Sequence, residues 1–278
     1  MSDYEFPAPG LYPDMAEEEY FSLLAFSNSG AKDLLRSMAH YHHARTKGFK
    51  QTDAMLVGKM VHTLVLEPEL YAARYLIVPD CRRGTKQWEG YVAEAGSREV
   101  IKQPMADEVD AIANAVARHP AAKLILQNFE SEQSLIFEQH GVPCKARIDI
   151  PQEGYLADLK KVADASPSGF SKAVGNFGYH RQSAHYESAF NIVTGVEPEG
   201  MLFVCVESEA PYAVGIYEVD REDVNQGAAE LAEAAKVFKR YIDGGAGDNP
   251  EIHHGYGKMV QAVSLPRWAK RQEEMIHG

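Results

Sequence analysis

Between Cys144 and Ile150 the chain alternates strictly, with Lys145, Arg147 and Asp149 on one side and Ala146, Ile148 and Ile150 on the other. A period of two is the signature of a strand with one apolar face. Pro151-Gln152-Glu153-Gly154 follows, with Pro early and Gly late, which marks a turn. Tyr155 to Val162 then reads as a return strand. No other stretch limits the fold as strongly. If the two strands pair across the turn, Asp149 approaches Asp158, and Asp158 and Lys160 share one face, roughly 6–7 Å apart along the chain.

The polar residues of this hairpin sit among Ile148, Ile150, Leu156, Leu159 and Val162, and a carboxylate in such surroundings needs a cationic partner. Two carboxylates are hard oxygen donors suited to Mg²⁺, with Mn²⁺ as the alternative ion. The carbonyl of Leu159 is a further donor, and Lys160 is placed to orient a water or to face charge developing on a phosphoryl group. Glu132, just ahead of the next strand upstream, is an additional acid for such a site.

The rest of the chain supplies helices and more strands. Ser27 or Asn28 caps a helix starting near Ser29. Further helices are predicted over Thr52–Leu66, Met105–Arg118, Ala121–Gln127, Ser168–Val174, His180–Val193 and Glu222–Ile242. Strands are predicted at Tyr75–Val78, Ser134–Gln139, Met201–Glu207 and Tyr212–Val219. This order gives an α/β fold, a mixed sheet flanked by helices. With 278 residues, 45% of them hydrophobic, the chain can bury a full core. Residues 1–25 are expected to be an irregular acidic leader and residues 26–278 a single domain.

Charge and composition narrow the function. No apolar run reaches the length of a membrane span. Residues 1–20 hold six acids and no Lys or Arg, unlike a signal peptide. Cys81, Cys144 and Cys205 are widely separated, so a reducing, cytoplasmic setting is expected. The net charge of −12 argues against a general DNA-coating protein. It leaves room for a local basic groove, since Lys32, Arg36, Arg45, Lys47 and Lys50 face only Asp33 within residues 31–50. Candidate phosphate contacts are Ser29, at a helix start, and Arg82, Arg83 and Lys86, in a basic loop. His40, His42 and His43 read as a solvated helix end.

The pattern C-K-A-R-I-D-I followed by L-A-D-L-K-K resembles motifs II and III of the PD-(D/E)XK nuclease superfamily. More closely it resembles the RecE-like, exodeoxyribonuclease VIII type of phage recombination nuclease. Gly58-Lys59-Met60-Val61-His62 resembles that family's G-x-x-x-H helix, and Gln182 to Tyr186 its Q-x-x-x-Y helix. The blocks Phe26 to Leu35, Arg82 to Lys86 and Ser264 to Ala269 follow the same order. Together they run from about residue 26 to residue 270. Lys161 departs from the pattern, where the family has a small hydroxyl residue.

The resemblance implies a restriction-endonuclease-like core. It implies that His62 joins Asp149 and Asp158 as a metal ligand, with Asp149, Asp158 and Lys160 catalytic. It implies that Gln182 and Tyr186, four apart on one helix face, line the cleft. The implied activity is Mg²⁺-dependent 5′→3′ degradation of linear double-stranded DNA, leaving 3′ overhangs for a single-strand annealing protein. A ring-shaped homo-oligomer is implied by processivity. The rival readings are a nuclease of other polarity or substrate, a degenerate nuclease fold that only binds DNA or a partner, and a phosphoesterase acting on a small nucleotide.

Overall fold

The computed structural model describes residues 6–48, 50–127, 131–152 and 154–266, so Glu153 of the predicted turn and positions 267–269 of the tail block lie outside it. Strand β1 (Gly10–Tyr12) and helix α1 (Glu17–Ser22) come first. Ser27 then caps α2 (Asn28–Arg36), Ser37 caps α3 (Met38–Thr46) and Thr52 caps α4 (Asp53–Leu66). Each side-chain oxygen accepts a backbone N–H three residues on, which satisfies a donor the helix cannot. Pro68 opens α5 (Pro68–Arg74), ahead of β2 (Tyr75–Val78). Helix α6 (Lys86–Ala95), strand β3 (Glu99–Lys102), and helices α7 (Gln103–Arg118) and α8 (Pro120–Ile125) follow.

Four strands then carry the alternating region: β4 (Gln133–Gln139), β5 (Val142–Ile148), β6 (Ile150–Pro151) and β7 (Tyr155–Val162). Helices α9 (Pro167–Phe177) and α10 (Tyr179–Thr194) lead to β8 (Gly200–Glu207), β9 (Val214–Glu218) and the long α11 (Arg221–Asp243). The strands form three sheets, β1-β4-β5, the parallel pair β2-β3, and β6-β7-β8-β9. Within the last, β7 and β8 run parallel, joined by the α9–α10 crossover.

The predicted hairpin needs correction. Strand β5 pairs with β4, not with β7. Only Ile150 and Pro151 pair with β7, opposite Ala157 and Leu156. The chain bends at Asp149 and changes sheets there. Local alternation fixes which face a side chain takes, but the pairing partner is set by packing far along the chain.

The central sheet is buried on both faces, as a parallel pair with helices on each side must be. Leu156, Val162, Phe203 and Cys205 pack with Phe26 and Phe238 in one apolar cluster. Leu159, Val204 and Val206 pack with Met60, Val109 and Ile112 in the other. Asp158 and Lys160 therefore share the face of Leu156 and Val162, as the period of two requires.

The segment expected to be an irregular leader is also corrected. Strand β1 extends the sheet by pairing with β4. The last carbonyls of α1 are claimed by cations: Lys145 Nζ donates to Tyr20 O (2.6 Å) and Leu23 O (3.0 Å), and Arg45 Nη2 donates to Ser22 O (3.1 Å). Cations suit the negative end of a helix. Lys145 and Arg147 both lie against the Tyr20 ring, 4.7 and 4.5 Å from its centroid.

Burial, helped by nearby Arg45 and Arg147, lowers the Lys145 value from the ordinary 10.5 to about 7. The neutral amine keeps two N–H groups, one for each carbonyl, so deprotonation orphans neither. Because the folded value lies below the unfolded one, the unfolded chain binds the extra proton between the two. Stability should rise with pH across that window, by on the order of 1 kcal/mol per pH unit. Urea unfolding of the wild type against Lys145→Met, measured between about pH 7 and pH 10, should show this slope lost in the variant. Parallel curves would mean that the helix-end carbonyls keep the ammonium charged throughout.

Candidate active site

The backbone of Leu159 organises the site. In a strand, the N–H and C=O of one residue point to the same side. Here β6 has already ended, so no strand is left to take them. Two side chains do so instead. Leu159 N–H donates to Asp149 Oδ2 (3.3 Å), and His62 Nε2 bonds Leu159 O (2.7 Å). A carbonyl only accepts, so Nε2 carries the proton. The other ring nitrogen, Nδ1, stands 3.5 Å from Asp149 Oδ2. The bend after β5 brings in Asp149, and helix α4 brings in His62.

On the neighbouring face lies Asp158, with only 2% of its surface exposed. Its Oδ1 accepts from Gln182 Nε2 on α10 at 2.5 Å. Its Oδ2 forms an ion pair with Lys160 Nζ at 2.6 Å. Lys160 Nζ also sits 5.2 Å from the centroid of the Tyr179 ring.

Two buried carboxylates this close cannot both ionise freely. Burial, then the charge of Asp158, raises Asp149 to about 7, while His62 and Lys160 pull less strongly the other way. For Lys160, burial favours the neutral amine, but Asp158 and Asp149 outweigh it and hold the ammonium above its ordinary value. Tyr186 is pushed well up by burial and then by Tyr20, Asp158 and Asp149, with a hydrogen bond to Gln182 opposing. It stays a neutral phenol.

The sequence-predicted residues divide into those brought together and those not. His62, Asp149, Asp158, Leu159, Lys160 and Gln182 converge, and Tyr186 lies near enough to feel both carboxylates. Glu132 adjoins them: its N–H donates to Asp149 O at 3.1 Å, and its charge contributes to raising Asp149. Its backbone has φ of 49°, which few non-glycine residues adopt. Ser29 lines a separate cleft of about 280 Å³ with Ser27, Arg45 and Lys145. Arg82 and Arg83 line another, of about 600 Å³, with Asp53, Asp80 and Lys102. Lys86 begins α6 and is exposed. A cleft of about 640 Å³ is lined by Glu187, Glu197, Glu199 and Arg221, an acidic wall unsuited to polyphosphate. His40 and His42 are engaged by Ser37 Oγ (2.7 Å) and Tyr241 OH (3.1 Å).

The donor chemistry of the convergent set fits a divalent cation: carboxylate and carbonyl oxygens and one imidazole. One point corrects the sequence reading. As the side chains stand, no three His, Cys, Asp or Glu among the described residues are grouped to hold a metal ion. The reason is local, since His62 Nε2 and the Leu159 carbonyl, both predicted ligands, are bonded to each other. Sequence reasoning missed Tyr179, whose ring lies under Lys160, and the docking of Lys145 on α1. An aromatic three residues before Gln182 was a faint signal for the first; nothing in the spacing pointed to the second.

Comparison with known proteins bears on the fold. A family model described as a PDDEXK-like domain of unknown function (DUF3799) matches residues 27–247. No curated protein matches the sequence. Among solved structures, one described as a "Putative exonuclease" from Eubacterium rectale superposes with a TM-score of 0.63. That match covers 90% of this chain and 96% of the other at 16% identity, a likeness of fold.

Proposed function

Since the chain belongs to the PDDEXK-like family of domains matched over residues 27–247, we propose that it is a metal-dependent deoxyribonuclease, a 5′→3′ exonuclease on linear double-stranded DNA. The observation that carries this reading is the convergence of Asp149, Asp158, Lys160 and His62 around Leu159, whose N–H and carbonyl are taken by Asp149 and His62 and not by a strand, with Asp158 Oδ2 paired to Lys160 Nζ. The residues that would hold the cation are Asp149, Asp158, His62 and the Leu159 carbonyl, with Mg²⁺ the ion best matched to them and Mn²⁺ second. When bound, that ion supplies Lewis acidity toward the scissile phosphate and an acidified water.

The chain's own groups do the rest. Lys160, kept protonated by the two aspartates, orients the attacking water with its N–H groups and faces the charge that builds on the phosphoryl oxygens. Gln182 fixes the Asp158 carboxylate, so that Oδ2 and not Oδ1 is turned to the site. Tyr186, neutral, lines the wall. The bond from phosphorus to the 3′ oxygen breaks, releasing a nucleotide. The same reading extends to a ring of identical chains enclosing the duplex and to a single-strand annealing protein that takes up the 3′ overhang. Both rest on the RecE-like sequence blocks. No helix among the described residues is long and apolar enough to cross a membrane.

Digestion of a 5′-phosphorylated, labelled linear duplex with Mg²⁺ tests the proposal. Mononucleotides released from the 5′ end, with circular duplex left intact, are expected. Internal cuts on the circle would assign a different nuclease activity. Binding without cleavage would make the fold a DNA-binding module.

A further inference from the structure

Phe177 is the last residue of α9, and 59% of its surface is exposed. A lone exposed phenylalanine means little. This one is the outer member of a column of rings that runs inward beside the site. Its centroid is 5.8 Å from Tyr179 at an interplanar angle of 28°. Tyr179 stacks in turn on Phe203 (5.3 Å, 24°) and on Phe170 (5.8 Å, 24°), both buried. The Tyr179 ring is the one against which Lys160 Nζ rests. Phe177 is thus one ring removed from the ammonium that pairs with Asp158.

A cation accompanies it. Lys32 Nζ lies 5.9 Å from the Phe177 centroid and donates to Asn176 O at 3.3 Å, so its neighbours are a ring and a carbonyl. An exposed ring packed on a stack, with an ammonium over it, is a combination that holds a single nucleotide. The base stacks on the ring and the phosphate meets the cation.

We propose that Phe177 is a positioning residue on which a base of the substrate strand stacks at the mouth of the Asp158–Lys160 site, with Lys32 on the adjoining phosphate. This rests on the nuclease reading above. The probe is a linear duplex carrying 2-aminopurine at each of the terminal four nucleotides in turn, mixed with protein in chelator so that nothing is cut. For at least one probe position, wild-type protein should quench the fluorescence by stacking. Phe177→Ala should lose that quench and weaken binding about five- to a hundredfold, and Phe177→Trp should restore both. Thermal stability of Phe177→Ala should be unchanged, because the ring is exposed. Cleavage of the duplex by wild type with Mg²⁺ is run alongside. If wild type cuts but Phe177→Ala quenches and binds as well as wild type at every position, the stacking role is wrong and the nuclease reading stands. If Phe177→Ala instead changes the sedimentation of the protein alone, the ring belongs to a contact between copies. If wild type neither binds nor cuts, both readings fall.

Discussion

Replacing Asp158 with alanine lowers cleavage of a linear duplex by on the order of a thousandfold or more, while the chain still folds. The loss is large because one side chain is used three ways. It is a buried carboxylate among the proposed ligands, it anchors Lys160 through Oδ2, and it receives Gln182 at Oδ1. Folding survives because the two energetic consequences oppose each other. Gln182 loses its acceptor, a cost of about 1–3 kcal/mol. Asp149 in turn loses the like charge that helps raise it to about 7, which is a relief. Lys160 retains 22% exposure of its side chain and can reach water. Asp158→Asn separates charge from shape: the amide oxygen still accepts from Gln182 but its NH2 then meets the Lys160 ammonium, so the variant should fold, melt below wild type and be equally inactive. Single-turnover digestion with Mg²⁺, read beside circular dichroism of each variant, is the measurement. Activity in either variant within tenfold of wild type would remove Asp158 from the chemistry.

A second large effect is expected at Gly227, in the second turn of α11. A Cβ there would stand 2.6 Å from His180 O, 2.7 Å from His180 C and 2.8 Å from Arg181 N. These are backbone atoms of α10, and they cannot swing away as a flexible side chain would. Helix propensity alone favours Gly227→Ala by about 1 kcal/mol. Overpacking opposes it by about 1–3 kcal/mol, so the net sign should be destabilising. Gly227→Leu should lie at or beyond the upper end, about 3 kcal/mol. Because α10 also carries Gln182, a displaced helix would loosen the grip on Asp158, and cleavage should fall with stability. Chemical denaturation of the two variants gives the test. A stabilised Gly227→Ala would show that the helices separate freely.

The Asp158–Lys160 pair was legible in the sequence because it is local, whereas His62 and Gln182, 97 and 24 residues from their partners, came from the family resemblance. Period two put Asp158 and Lys160 on one face, and the ladder confirms it. The cap offered by Ser27 or Asn28 fixed the start of α2, and the apolar pattern gave α4 and α11 to within a residue or so. What failed was long-range. Pairing β5 with β7 assumed that a turn joins its nearest strands, but β4 competes for β5 along its whole length and wins. The acidic opening segment lacked apolar periodicity, yet β1 pairs with β4 and the carbonyls of α1 are held by Lys145, 122 or more residues away. Strand β3 was missed because four residues flanked by helices carry too little pattern.

The gap in the ladder at Leu159 has a genetic consequence. One of the proposed ligands is main chain, and no codon change can delete it. Position 159 is therefore free to drift among aliphatic residues that fill the space beside Met60 and Val204, without touching the chemistry. A mutational survey scored on activity would classify this residue as core filler. The oxygen at the centre of the site would stay invisible to any method that varies side chains.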